Sequence, residues 1–408
     1  MIILGTGKQL RVNKRIKLLQ IIYSFDVEGT GGGIARFAIS LSQALDPKIF
    51  DVTICGLWNT GTNTELEHIQ KLNSLGVRAV TAANWDKDHP YQSLWKSYQG
   101  LKMFIQQSPV DIVHSHSEFS DIVSLMLKFS PGIPVIIRTL HNGYPLEWRR
   151  RYIRRILLTY ILYPICFNSE VGVARHVVAN MDRRWLTKLL GHHSKLLHNA
   201  IDVSKHSGCN YLTDKSKLGL AIPGETYVIG TVGRLREEKG YDTLLEAAAL
   251  VIRQTAIPIK FLIIGDGDMA KSLQDLAKNL GISEQVIFTG PRSDIEFLLS
   301  GMDLFICSSY WEGFSTAVLE AMAAGVPVLA TDIPGNRELI EPEKTGWMVP
   351  SHDATALAEE IMNVLNMPTE ERQIIVDRAK KVPLTYSIDI IAKQHEILYV
   401  NLFKEKKK

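Results

Sequence analysis

Cysteine is scarce: four in 408 residues (Cys55, Cys166, Cys209, Cys307), far apart and without a C-x-x-C pair. That spacing excludes a disulfide framework and a cysteine-based zinc site, and it fits a reducing, cytoplasmic setting. Long apolar runs are also lacking. The longest, from Ile156 to Phe167, is about half of the roughly 20 residues that span a bilayer. At the N-terminus, Lys8, Arg11, Lys14, Arg15 and Lys17 precede an apolar run too short for the core of a signal peptide. Secretion is not expected. Neither sign of charge dominates, with 46 Lys and Arg against 43 Asp and Glu, so no overall field for nucleic acid exists. Short repeats are missing, and low complexity is confined to the tail Lys404-Glu-Lys-Lys-Lys408.

What remains is a chain with 46% hydrophobic and 22% charged residues, the balance of a soluble globular protein. At 408 residues it exceeds one ordinary core, so two domains are expected. Short β-branched apolar runs alternate with helical patterns. Strands are predicted at 18–23, 52–55, 112–114, 135–138 and 165–168, then at 227–231, 261–264, 286–289, 304–307 and 328–330. Apolar runs separated by helices indicate parallel strands covered on both faces. The polar stretch Ser204–Glu225 reads as the linker. The fold expected is α/β: two Rossmann-like, doubly wound parallel sheets facing across a cleft, with the ligand between their strand ends. The first domain takes 1–205, the second 206–385, and a final segment is left at 386–408.

The most informative stretch runs from Tyr310 to Thr331. It holds Glu312 beside Gly313, and Glu320 eight residues later on a helix predicted from Ser315 to Gly325, with Pro327 beyond it. A helix N-terminus offers free amides and a positive dipole end to phosphate. Carboxylates on either side suit the hydroxyls attached to that phosphate, as in a sugar nucleotide. Leu319, Ala321, Met322 and Ala323 around Glu320 look buried, and a glutamate in such company needs a specific partner. Upstream, Gly230-Thr-Val-Gly-Arg-Leu-Arg-Glu-Glu-Lys239-Gly240 leaves a strand with Gly233, Arg234 and Lys239. A guanidinium fork and an ammonium point charge are the two common grips on phosphate oxygens.

Other motifs are weaker. Gly31, Gly32 and Gly33 form a strand-to-helix turn where backbone can approach a ligand. His114 and His116 end one strand and His141 ends the next, beside Asn142-Gly143. His114 reads as structural, and His116 is open between the two roles. A neutral His141 would hydrogen-bond a hydroxyl and a charged one would aid a departing phosphate, and the sequence leaves both open. Gly265, Gly267 and Ala270 spell a dinucleotide fingerprint, and Asp266 and Asp268 a D-x-D metal pattern. The fingerprint comes after the wrong strand, and no further ligand cluster joins the aspartates. Gly313-Phe-Ser-Thr-Ala317 lacks the closing glycine of a nucleophile elbow, so hydrolase chemistry is rejected.

Together, the glutamate pair, the V-G-R-L…K-G run, Gly265-Asp-Gly267, Thr331–Glu338 and Gly346–Pro350 resemble the signature of retaining GT-B glycosyltransferases of family 4. The resemblance is strongest from Gly230 to Pro350 and weak from Asn59 to Val110. It implies that Arg234 and Lys239 clamp the diphosphate, Glu312 takes the donor sugar's hydroxyls and Glu320 the ribose diol. It also implies that Gly233, Gly265 and Gly267 line the nucleotide site, with Arg292 either on that rim or in solvent. The amides of Phe314, Ser315 and Thr316 would donate to the diphosphate or sugar. A glycine pair among Gly31–Gly33 would lie where acceptor and donor phosphate meet, and His141 would face the transferred sugar. A last helix, about 388–402, would cross back to the first domain. Donor would sit on the second domain and acceptor on the first, without metal or cofactor. The diphosphate's charge would be met by Arg234, Lys239 and helix amides, and the acceptor oxygen would attack from the leaving-group face. Ser308 stands where proline is usual and Ser315 where glycine is common, which affects sugar recognition rather than fold. The alternatives are a sugar-nucleotide epimerase of the same fold or a non-catalytic sugar-nucleotide-binding protein. Finally, Arg149, Arg150, Arg151, Arg154 and Arg155 with Trp148 and Tyr152 form either a basic amphipathic helix on anionic lipid, at the membrane's inner face, or a solvated helix face.

Overall fold

Ile16–Ile22 (IKLLQII) is apolar at every position but two, because it lies in the middle of a parallel sheet with both faces covered. In the computed structural model, residues 14–27, 32–130, 135–142, 154, 156–206, 212 and 214–406 are described. The first sheet contains β1 (Ile16–Ile22), β2 (Phe50–Asn59), β3 (Arg78–Asn84), β4 (Ile112–Ser115), β5 (Val135–Leu140), β6 (Ser169–Gly172) and β7 (Lys195–Leu196). Its order is β3-β2-β1-β4-β5-β6-β7, all parallel. The second contains β8 (Tyr227–Val232), β9 (Ile259–Ile264), β10 (Val286–Gly290), β11 (Leu304–Cys307), β12 (Val328–Thr331) and β13 (Trp347–Val349), in the order β10-β9-β8-β11-β12-β13 and again parallel. These are the two Rossmann-like sheets of the GT-B fold.

Helices cover both faces of each sheet. Leu244, Leu245, Ala248 and Val251 of helix Tyr241–Gln254 pack with Ile229, Phe261 and Ile263 on one face of the second sheet. Val318, Leu319 and Met322 of helix Thr316–Ala324 pack with Leu262, Phe305 and Val328 on the other. The long helix Ile388–Lys406 closes on the first sheet, where Tyr399 and Val400 join Leu18, Phe37 and Ile137. It reaches that sheet by a crossing at Ser387, which forms a parallel bridge with Ile201. Ile388 N donates to Ile201 O over 2.9 Å.

Four elements differ from the sequence reading. The strand predicted at 165–168 is instead the end of a helical stretch, Leu157–Cys166, and the strand follows at Ser169–Gly172. The short strands Arg78–Asn84, Lys195–Leu196 and Trp347–Val349 carry no long apolar run and were not anticipated. The linker stretch holds two short 3-10 turns, Val203–Lys205 and Lys215–Leu218, with Lys215 buried against Asp303 at 3.4 Å.

Candidate active site between the two sheets

Strand order gathers the candidate residues. In the first sheet the winding reverses between β1 and β4, and in the second between β8 and β11. In open parallel sheets ligands bind beyond the strand C-termini at that reversal. β1 leads to Gly32 and Gly33, β4 to His116 and β5 to His141. β8 leads to Gly233, Arg234 and Lys239, β9 to Gly265 and Gly267, and β11 to the Ser308–Ser315 loop.

Three close approaches join the halves. A Cβ on Gly32 would stand 2.5 Å from Arg234 Nη2, so the guanidinium rests on the first turn of helix Gly32–Ala44. With φ at +56°, Gly32 needs the freedom only glycine has without strain. A Cβ on Gly33 would lie 3.9 Å from Thr316 Oγ1. One on Gly313 would lie 1.9 Å from the His141 carbonyl oxygen. Two helix N-termini, one per sheet, thus come together beside Arg234. Neither has an acidic residue in its first turn, and Ser315 makes no side-chain cap at the second. That leaves positive helix ends fit for an anion. Gly31 lies outside the described residues.

Lys239 Nζ pairs with Glu312 Oε1, which also accepts from Ser309 Oγ at 2.9 Å. Burial alone would lower the Lys239 pKa, but the Glu312 carboxylate outweighs it and holds the ammonium above its usual value. Both line a small recess with Thr231, Ser308 and Ser315. Ser308, in the place where proline is usual, donates from Oγ to Lys239 O at 2.9 Å. Thr331 Oγ1 bonds Cys307 O at 3.3 Å, and Asn336 Nδ2 bonds Thr331 O at 2.9 Å, so a buried polar scaffold backs the Glu312 loop.

Glu320 is half-buried on helix Thr316–Ala324, and of its neighbours Ala323 is only partly covered. Burial pushes its carboxyl up, opposed by the charge of Arg36 across the cleft. Gly265 and Gly267 serve backbone packing: a Cβ on either would meet Gly233 O at 2.0 Å or Leu235 O at 2.4 Å. Leu235 N in turn bonds Asp266 O at 3.0 Å, so this loop props up the Arg234 loop. Phe314 packs on His198 and Tyr386, each at 5.1 Å between ring centres.

His141 is buried and pushed down to about 4, mainly by that burial, so it is neutral at pH 7. Its Nδ1 meets Asn199 Oδ1 at 2.9 Å and its Nε2 meets His116 Nδ1 at 3.2 Å. Both nitrogens are therefore engaged within the protein. His114 is structural, held by Tyr399 and Thr139. Arg292 forms a two-point pair with Asp294, 2.7 Å at Nε. Arg154 is paired with Glu118 at 2.7 Å, while Arg149, Arg150, Arg151 and Arg155 lie outside the described residues. Among the described residues no group of three or more His, Cys, Asp or Glu could hold a metal ion. Three participants went unnoticed in the sequence: Ser309, Arg36 and Asn199. Arg36 had a signal, being one helical turn beyond Gly32 on the same face.

Residues 213–382 match the family of glycosyl transferases group 1, and 31–205 match Glycosyltransferase Family 4. An uncharacterized glycosyltransferase of Methanocaldococcus jannaschii is 33% identical over 83% of this chain and 86% of its own. The UDP-Gal:alpha-D-GlcNAc-diphosphoundecaprenol alpha-1,3-galactosyltransferase of Escherichia coli is 25% identical over 76% of this chain and 80% of its own. Among solved structures, Anabaena HepE in complex with UDP-glucose matches with a TM-score of 0.77 at 20% identity, covering 94% of this chain and 100% of that one. The chain belongs to the group 1, family 4 glycosyltransferases and is a glycosyltransferase.

Proposed function

We propose that the protein moves a sugar, with retention of configuration, from a nucleotide-diphosphate sugar to a hydroxyl on a glycan, glycolipid or small molecule, without metal or cofactor. The observation that carries this reading is the meeting of Arg234 with two helix N-termini where both sheets reverse their winding. Arg234 and the amides of Phe314, Ser315 and Thr316 would hold the diphosphate. Lys239 would move from Glu312 to the leaving phosphate as the donor enters, freeing Glu312 for the sugar's hydroxyls. Glu320 would take the ribose diol in exchange for Arg36. Gly32 and Gly33 would face the reacting phosphate from the acceptor side.

UDP-sugars are the first donors to test, since the E. coli relative is named for UDP-Gal and HepE was solved with UDP-glucose. A screen of UDP- and GDP-sugars by thermal shift should single out one, because a ligand at a hundredfold excess over its Kd stabilises by about 2.7 kcal/mol. Product anomeric configuration then tests retention, and turnover in EDTA tests metal independence. Nucleoside diphosphate released only when acceptor is present would separate transfer from epimerisation.

The E. coli relative's lipid-linked acceptor also favours cytoplasmic residence with peripheral contact at the inner face of a membrane. Leu157, Ile161, Ile165, Trp185 and Leu189 are exposed on neighbouring short helices. Residues 149–195 carry ten Lys and Arg against Glu170 and Asp182, a charge suited to anionic lipid. No helix among the described residues is long and apolar enough to cross a membrane.

A further inference from the structure

Behind the cleft, the apolar core of the first sheet encloses an unbroken run of polar groups. Asn199 Oδ1 lies 2.9 Å from His141 Nδ1, and His141 Nε2 lies 3.2 Å from His116 Nδ1. His116 Nε2 lies 2.5 Å from Gln20 Oε1, and Gln20 Nε2 lies 3.4 Å from Tyr399 Oη. Tyr399 Oη is 2.7 Å from His114 Nδ1, and His114 Nε2 ends the run 2.8 Å from Thr139 Oγ1. All seven side chains are buried. They come from β1, the ends of β4 and β5, the loop after β7 and the C-terminal helix.

Burial keeps His114, His116 and His141 neutral at pH 7. A neutral imidazole has one donor nitrogen and one acceptor nitrogen. With one proton, His116 cannot donate both to His141 and to Gln20 Oε1. One terminal amide must therefore be turned by half a rotation, which leaves its shape unchanged. Turning Asn199 changes one contact in the run, whereas turning Gln20 changes two. With Asn199 turned, its amide nitrogen donates to His141 Nδ1. His141 Nε2 donates to His116 Nδ1, and His116 Nε2 to Gln20. Gln20 then donates to Tyr399, Tyr399 to His114 and His114 to Thr139. Every group is satisfied in a single direction.

We propose that Gln20, His116 and Tyr399 are positioning residues that hold His141 as its Nε2–H tautomer. His141 Nδ1 then accepts a hydrogen bond from a hydroxyl of the bound sugar or acceptor, in exchange for Asn199. His141 stands at the cleft by its backbone, since Gly313 of the second domain packs against its carbonyl oxygen, and Asn199 follows His198, whose ring lies 5.1 Å from Phe314. The C-terminal helix, through Tyr399, thus sets the chemistry of a group at the end of β5 in the domain it packs on. The inference rests on the sugar-transfer reading of the cleft.

The test is nitrogen NMR of the full-length protein with 15N-labelled histidine, His141 being assigned by its loss in His141→Gln. The expected spectrum has a bare Nδ1 and a protonated Nε2. Tyr399→Phe keeps the ring but cuts the run, and should draw both His141 signals toward averaged values. Its kcat should fall about tenfold, the loss of one net hydrogen bond, with donor KM unchanged. Thr139→Val, at the far end of the run, gives the same readout should Tyr399→Phe not fold. A protonated Nδ1 in the wild type, or His141 signals unmoved in the variants, would overturn the proposal. The spectrum needs no turnover, so its outcome is separate from whether sugar transfer occurs.

Discussion

At the scale of single residues, the Lys239–Glu312 pair decides most. The two side chains are 25% and 11% exposed, so each is the main partner of a largely dehydrated charge. Removing one leaves the other without compensation, which costs more than the pair itself contributes. Lys239→Ala should lower kcat by about 10²–10³-fold, the usual loss when a group facing developing charge is removed. Glu312→Ala should do the same while raising donor KM. In the double variant the losses should fail to add, since both act on one leaving group. Steady-state kinetics on the four proteins of this cycle checks it, and additive losses would mean the two act separately. Gly32→Ala is the complementary probe. Its Cβ would meet Arg234 at 2.5 Å and adopt a strained φ of +56°. The strain costs about 1–2 kcal/mol, and the displaced guanidinium should weaken donor binding, visible as a lost thermal shift with nucleotide.

At the scale of elements, the sequence was legible where one signal dominated. Helix Thr316–Ala324 begins after Ser315 and stops at Gly325 in the left-handed region, as its cap residues dictate. The strand placed at 165–168 failed because a short apolar run also suits a helix, and periodicity cannot separate the two. Tertiary contacts settle it. Arg138 Nε bonds Asp121 at 2.9 Å, and Arg138 Nη1 bonds Glu170 at 3.0 Å. Tyr163, on the helical turn in question, lays its ring 4.0 Å over the Arg138 guanidinium. That network pins helix and strands together, and nothing local encodes it. The same holds for Asn199 and Ser309, ordinary loop residues until the fold sets them beside His141 and Glu312. Gln20 is different: an amide in the middle of a buried strand was a visible anomaly. Arg138→Leu would leave the Asp121 charge buried without its guanidinium, while Glu170 keeps its pairing with Arg184. Denaturant unfolding should show a loss of about 3–5 kcal/mol, and a loss below about 1 kcal/mol would mean water reaches the network.

At the scale of the whole molecule, the buried histidines tie stability to pH. His114, His116, His141 and His395 are all shifted down by burial, His141 and His395 to about 4. Unfolded, each titrates near 6.5. Below that value the unfolded chain takes up protons that the native state refuses, so stability is full above about pH 7 and falls as pH drops toward 4. Each histidine contributes up to about 1.4 kcal/mol per pH unit to that slope. Asp121 acts the other way, because burial raises it to about 6 and the native state binds its proton first. Across these five groups three net protons remain, about 4 kcal/mol per unit, against a typical total stability of about 5–15 kcal/mol. The midpoint temperature should therefore be level above pH 7 and collapse between pH 6 and pH 4.5 or so. His395 is the cleanest place to test the cause, since its Nε2 has no hydrogen-bond partner among the described residues and it stands outside the run that holds His141. His395→Phe should keep its activity at pH 7.5 and reduce the acid slope by one proton. A wild-type midpoint that stays level from pH 7 to pH 5 would mean the cluster is protonated in the native state, and the neutral relay behind the cleft would fall with it.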